Sequence, residues 1–136
     1  MKKLNLIWTL SLIVGLTASV SFAGDYQSVT IVKPQSGFPL SNPVTVCMVT
    51  WGVEVEPAKN GVNEGKGHHH IIVDVELPDL SKPVPKDANH IHMGDGSSCK
   101  TIELSPGKHT IRTLFAKGNH MPYVPALSDT VVVEVK

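Results

Sequence analysis

The sequence predicts an all-β protein, a two-sheet antiparallel sandwich of about seven strands. Three observations predict it. Apolar and polar residues alternate with a period of two along several segments, as in strands with one buried face. Turn formers are dense, with 11 glycines and 10 prolines, and they interrupt the apolar runs before these reach helical length. No segment beyond residue 23 has the spacing of a good amphipathic helix.

The elements follow in order. Val29–Lys33 is a short apolar strand, turned by Pro34-Gln35-Ser36-Gly37 and again by Ser41-Asn42-Pro43. Val44–Trp51 alternates, with Val44, Val46 and Met48 on one face and Thr45, Cys47 and Val49 on the other. Residues 57–67 are polar and rich in Gly and Asn, and are expected to form a surface loop. The strongest alternation is His68–Leu77. There His69, Ile71, Val73, Val75 and Leu77 share one face, and His68, His70, Ile72, Asp74 and Glu76 share the other, the pattern of a half-buried strand.

Pro78, Pro83 and Pro85 make the next segment a loop. Asn89–Met93 is a short strand ended by Gly94-Asp95-Gly96. Cys99–Leu104 and His109–Ala116 are expected to pair as a hairpin across Ser105-Pro106-Gly107-Lys108. A loop with two prolines covers 118–126, and Thr130–Val135 is the last strand. Seven short strands with frequent turns suggest an immunoglobulin-like sandwich. Trp51 follows Cys47 too closely for the Cys-Trp-Cys spacing of a true immunoglobulin domain.

The chain opens with Lys2 and Lys3, a largely apolar stretch from Leu4 to Leu16, and the small residues of Ser21-Phe22-Ala23. This three-part order is a secretory signal, with cleavage expected after Ala23. The apolar run is shorter than the roughly 20 residues of a membrane span. Residues 24–136 then form one domain, periplasmic or secreted, with no second stretch long enough to cross a bilayer. Lys plus Arg balance Asp plus Glu at 12 each, and loss of the signal leaves the mature chain slightly acidic. With no basic cluster left, a nucleic-acid partner is not expected.

Cys47 and Cys99 are the two cysteines. Outside the cytoplasm such a pair is expected to bond, stabilising the fold by roughly 4 kcal/mol in the chain-entropy treatment. The alternative is one buried thiol and one metal thiolate.

Seven histidines carry the chemistry: His68, His69, His70, His90, His92, His109 and His120. His68 and His70 are two apart on a strand, so their rings leave the same face. Same-face neighbours on a strand are about 6.5–7 Å apart, close enough to lean onto one ion at about 2.0–2.1 Å. His90 and His92 repeat the spacing, and His120 in Gly118-Asn119-His120-Met121-Pro122 can close the set. The predicted centre takes His68, His70, His90, His92 and His120 as ligands to a copper or zinc ion, with Asp74 orienting an imidazole from behind. Met93 and Met121, each next to one of these histidines, are possible soft ligands favouring copper, or else core filler.

His69 falls on the apolar face and is read as framework. His109, after Pro-Gly-Lys, is expected to bond backbone at a corner of the sandwich. A metal-free face binding a polar ligand, and a histidine pH sensor, are the competing readings of the cluster. Catalytic patterns are poorly matched: no Gly-x-Ser-x-Gly elbow and no His-Glu-x-x-His is present.

Four ordered blocks carry a family resemblance: Gly67-His68-His69-His70-Ile71-Ile72-Val73-Asp74, His90-Ile91-His92-Met93-Gly94-Asp95-Gly96, Leu104-Ser105-Pro106-Gly107-Lys108-His109-Thr110-Ile111 and Asn119-His120-Met121-Pro122. Together they resemble the bacterial domain-of-unknown-function family 4399, over roughly residues 44–136. The resemblance implies an exported bacterial protein with a small β domain, and implies no activity. In the family pattern Gln-Thr follows the Gly-x-Gly step, where this chain has Ser97-Ser98-Cys99, and a further His stands where this chain has Tyr123.

The expected function is that of an exported soluble protein holding a metal ion through its histidine cluster, as a carrier, buffer or accessory protein. The alternative is an interaction module whose His-rich face contacts another exported protein or a small ligand.

Overall fold

The structure, a computed structural model, describes residues 26–136. The predicted signal, residues 1–23, lies outside the described residues. Within them the chain forms β1 (Ser28–Lys33), β2 (Pro39–Leu40), β3 (Val44–Trp51), β4 (Glu54–Val55), β5 (Lys66–Val73), β6 (His90–His92), β7 (Cys99–Ile102), β8 (Gly107–Ala116) and β9 (Ser128–Val135). One 3-10 turn, Ala58–Asn60, is the only helical piece among these residues.

The strands build two sheets, the arrangement of an immunoglobulin-like sandwich. The small sheet has the order β1-β3-β7, and the large one β2-β9-β8-β5-β4, with β6 also pairing β5. Pairing is antiparallel except for two short parallel contacts, β2 with β9 and β4 with β5. All seven predicted strands exist, and β2 and β4 are additions. Two residues are too few to show an alternation, so these strands leave no periodic trace in the sequence.

The main core lies between the sheets. Val29, Val44, Val46 and Met48 from the small sheet meet Ile71, Val73, Ile111, Phe115, Val133 and Val135 from the large one. Burying each such side chain stabilises the fold by about 1.5–3 kcal/mol.

Two expectations are corrected. Cys99–Ile102 and Gly107–Ala116 do not form a hairpin. β7 pairs with β3 in the small sheet, while β8 pairs with β5 and β9 in the large one. The turn at residues 105–106 therefore crosses between sheets. Asn42 clasps this crossing by bonding both the carbonyl and the N–H of Leu104.

The second correction concerns β5, which is buried on both faces from Gly67 to Val73 rather than half-buried. On its outer face Ile72, with Leu114 and Ala116 of β8, is covered by Val84, and Val75, Leu77, Leu80 and Ala126 pack around this second apolar cluster. The loops of Val84 and His120 are joined where the Val84 N–H bonds the His120 carbonyl at 2.9 Å. β5 also ends earlier than its alternation suggests, because Asp74 turns into the left-handed region at φ 59°.

Candidate metal centre

β5 carries His68 and His70 on its outer face. Antiparallel pairing sets His92 of β6 directly opposite His70, and directly opposed residues share a face. The fourth ring comes from the loop after β8. His120 sits there at φ 66°, a left-handed conformation that is uncommon for a side-chain-bearing residue. A turn holds it in place: the His120 N–H bonds the Lys117 carbonyl at 2.8 Å, the Lys117 N–H bonds the Met121 carbonyl at 3.0 Å, and the Met121 N–H bonds Asn119 Oδ1 at 3.2 Å.

These elements bring His68, His70, His92 and His120 together, with one nitrogen of each lying within 4.8 Å of the others. All six ring pairs are close, from 4.7 Å between His68 and His70 to 5.8 Å between His70 and His120. His92 and His120 share a hydrogen bond between their Nε2 atoms at 3.1 Å, one donating to the other's lone pair. A tetrahedral ion with nitrogen ligands at 2.0–2.1 Å needs donors about 3.4 Å apart. Small inward rotations of the rings therefore close the set.

Burial is graded across the group. His68 and His70 are 0% and 2% exposed and form the floor, while His92 and His120 stand at the solvent side. Both ring nitrogens of His68 and Nδ1 of His70 are buried without a hydrogen-bond partner. An unpartnered buried polar atom costs about 1–3 kcal/mol, and these two rings have lone pairs free for a ligand. Burial, followed by repulsion from the neighbouring rings (His92 first for His68, His68 first for His70), pushes His68 down to about 4 and His70 down to about 3. His92 is lowered as well, by burial first and then by His120, Lys86 and Lys100 against an opposing Asp95. The floor histidines are therefore neutral near pH 7, the form that ligates a metal.

The other predicted residues lie elsewhere. His90 is opposite Ile72, one step along β6. Its Nδ1–H donates to Asp87 Oδ1 at 2.8 Å, and the same carboxylate takes the backbone N–H groups of Asn89 and His90. The spacing placed His90 on the correct face, but a turn three residues upstream captures its ring. Asp74 orients neither His68 nor His70. Its Oδ2 accepts from His109 Nδ1 at 2.6 Å, and its Oδ1 accepts the Thr110 N–H. Met93 turns the other way from His92 and is buried in the main core, so it is filler. Met121 is half-buried next to His120 and contributes its backbone to the turn.

His69 faces the main core, fully buried, with its ring edge-on to Phe115 at 5.1 Å. His109 holds the sheet-crossing corner, where its Nε2–H donates to the Ser105 carbonyl at 2.8 Å. Cys47 and Cys99 are directly opposite on β3 and β7 and form a disulfide.

Sequence reasoning missed Gly94. A Cβ at this position would overlap the imidazole of His92, so the absence of a side chain is what lets that ring lie toward the cluster. The signal was a glycine two residues beyond a candidate ligand, at the turn that ends its strand.

The model of the family described as domain of unknown function DUF4399 matches residues 46–136. Among solved structures, the fibronectin(III)-like modules of Clostridium thermocellum CbhA are similar at 13% identity and a TM-score of 0.45. The match covers 81% of this chain and 46% of that one, so this chain spans about half the length of that protein. No curated protein sequence matches the chain.

Proposed function

The chain belongs to the DUF4399 family, and we propose that it is an exported metal-binding protein that holds one copper or zinc ion through His68, His70, His92 and His120. It serves as a carrier, buffer or accessory protein rather than as an enzyme. The observation that carries the reading is the convergence of four imidazoles from three separate elements, two of them with buried nitrogens that no protein group satisfies. Export is supported by the secretory pattern of residues 1–23 and by the Cys47–Cys99 disulfide, a bond that persists in oxidising compartments. Among the described residues no helix is long and apolar enough to cross a membrane.

Elemental analysis of the purified, untagged mature protein tests the reading. One transition-metal ion per chain is expected after incubation with copper or zinc and gel filtration. His70→Ala and His92→Ala should lose it. His90→Gln, whose parent ring is held by Asp87, should retain it. Equal and weak uptake by the parent and by the His70 and His92 variants would leave the interaction-module reading in its place.

A further inference from the structure

The donor set is unusual in carrying no charge. The group contains four imidazoles and no carboxylate or thiolate. Both cysteines are in the disulfide. Asp74 and Asp87, two acids near the ligands in sequence, are committed to His109 and His90. The fixed charges bearing on His92 are two ammonium groups, Lys86 and Lys100, against one carboxylate, Asp95. Beside the floor histidines the surroundings are apolar, since Ile72, Leu114 and Ala116 share the outer face of the large sheet with His68 and His70.

Charge decides which ion such a site favours. Desolvation of an ion grows with the square of its charge, so a dication costs about four times as much to bury as a monocation of similar size. Lone pairs from neutral nitrogens do not cancel the remaining charge.

Shape points the same way. In a square-planar set two trans pairs are about 1.4 times longer than the four cis pairs, the geometry that Cu(II) prefers. Here no two disjoint pairs are long together. His68–His70 and His92–His120 are both short at 4.7 and 4.8 Å. His68–His92 and His70–His120 are 4.9 and 5.8 Å, and His68–His120 and His70–His92 are 5.0 and 5.3 Å. The ring centroids, 4.7–5.8 Å apart, thus surround a common point as a distorted tetrahedron rather than a square, an arrangement that suits an ion with a filled d shell.

Cu(I) and Zn(II) both have that shell, and only Cu(I) has the lower charge. We infer, on the reading that the cluster is a metal site, that its ion is Cu(I), held more tightly than Cu(II) or Zn(II). The protein is then a carrier of cuprous ion outside the cytoplasm, protecting the ion from oxidation by a donor geometry and charge that disfavour Cu(II).

The test uses the untagged mature protein under anaerobic conditions. Cu(I) affinity is read by competition with bicinchoninate, Cu(II) affinity by competition with a colorimetric Cu(II) chelator, and the potential of the bound couple by redox titration. One Cu(I) per chain is expected, bound at least 100-fold more tightly than Cu(II). That ratio places the bound couple about 120 mV above the aquo couple, at 59 mV per tenfold for one electron. Equimolar Zn(II) should leave the Cu(I) in place, and His92→Ala, on the solvent side, should release it while the fold persists.

Equal or tighter Cu(II) binding, a potential at or below the aquo couple, or displacement by Zn(II) would overturn the inference and leave a metal site of another kind. Failure of all three ions to bind would overturn the metal reading itself.

Discussion

His70 and His92 are directly opposed across an antiparallel strand pair, with ring centroids 5.3 Å apart. That relationship converts two short sequence motifs into one half of the four-histidine group. The other half comes from His68, two residues along β5, and from His120 in a strained loop. Each contribution depends on a local device, and each device can be removed singly.

Gly94 is the first device. A methyl group there would occupy the space of the His92 imidazole. Metal donors must reach within about 0.2 Å of their required distances. Gly94→Ala is therefore expected to weaken metal binding at least tenfold, with a thermal midpoint little changed. Chelator competition and a melting curve on the same sample check both halves, and unaltered affinity would show that the ring has another way in.

The loop at His120 is the second. A residue with a Cβ in the left-handed region is disfavoured by about 1 kcal/mol, whereas Asn tolerates it. His120→Asn should match or slightly exceed the parent stability of the metal-free protein in urea, and should lose the ion. A large fall in stability would mean that the His120 ring, rather than the bound ion, holds the loop.

The corner at His109 predicts a pH dependence. The hydrogen bond to Asp74, followed by that to the Ser105 carbonyl, raises His109 above its usual 6.5. For Asp74, partial burial works upward, but the bonds from His109 and the Thr110 N–H prevail and hold it below 3.8. A raised histidine contributes stability that is complete below 6.5 and is lost as pH rises through its folded value. A lowered carboxylate contributes stability that is present above 3.8 and is lost as pH falls through its folded value. The stability gap between the parent and His109→Gln should thus be widest between about pH 4 and 6.5, at about 1–2 kcal/mol, and should narrow toward alkaline pH. Urea unfolding of both proteins at several pH values measures it, and a gap that widens above pH 7 would contradict the assignment.

The disulfide ties β3 to β7 in the small sheet, away from the histidine face. Replacing both cysteines by serine should lower stability by roughly 2–4 kcal/mol and leave the metal stoichiometry unchanged. Loss of the ion from a variant that still folds would show that the two sheets communicate through the 93–98 connection.

Much of this protein could be read along the chain. The period-two patterns of Val44–Trp51 and of the His68 region located real strands, because burial of one face imposes alternation on any strand that has one. The two His-x-His pairs lay on common faces for the same reason. Other features depend on partners distant in sequence. The turn after Leu104 looks like a hairpin because turn chemistry is local, yet β7 finds β3 through a disulfide and a ladder 52 residues back. Likewise His90 and His92 are equivalent by spacing, and tertiary partners separate them, with Asp87 Oδ1 2.8 Å from the His90 ring and His70 opposite His92.

From the sequence alone came the β architecture, the pairing of the two cysteines and the histidine-rich face, because side-chain period and residue type are written into the chain itself. Tertiary structure decided which four imidazoles meet, that Asp74 serves the corner instead of the centre, and that Gly94 clears a ring's path. Those outcomes turn on register and on loops folding over a sheet, where a shift of one residue reverses every face, and no local pattern specifies them.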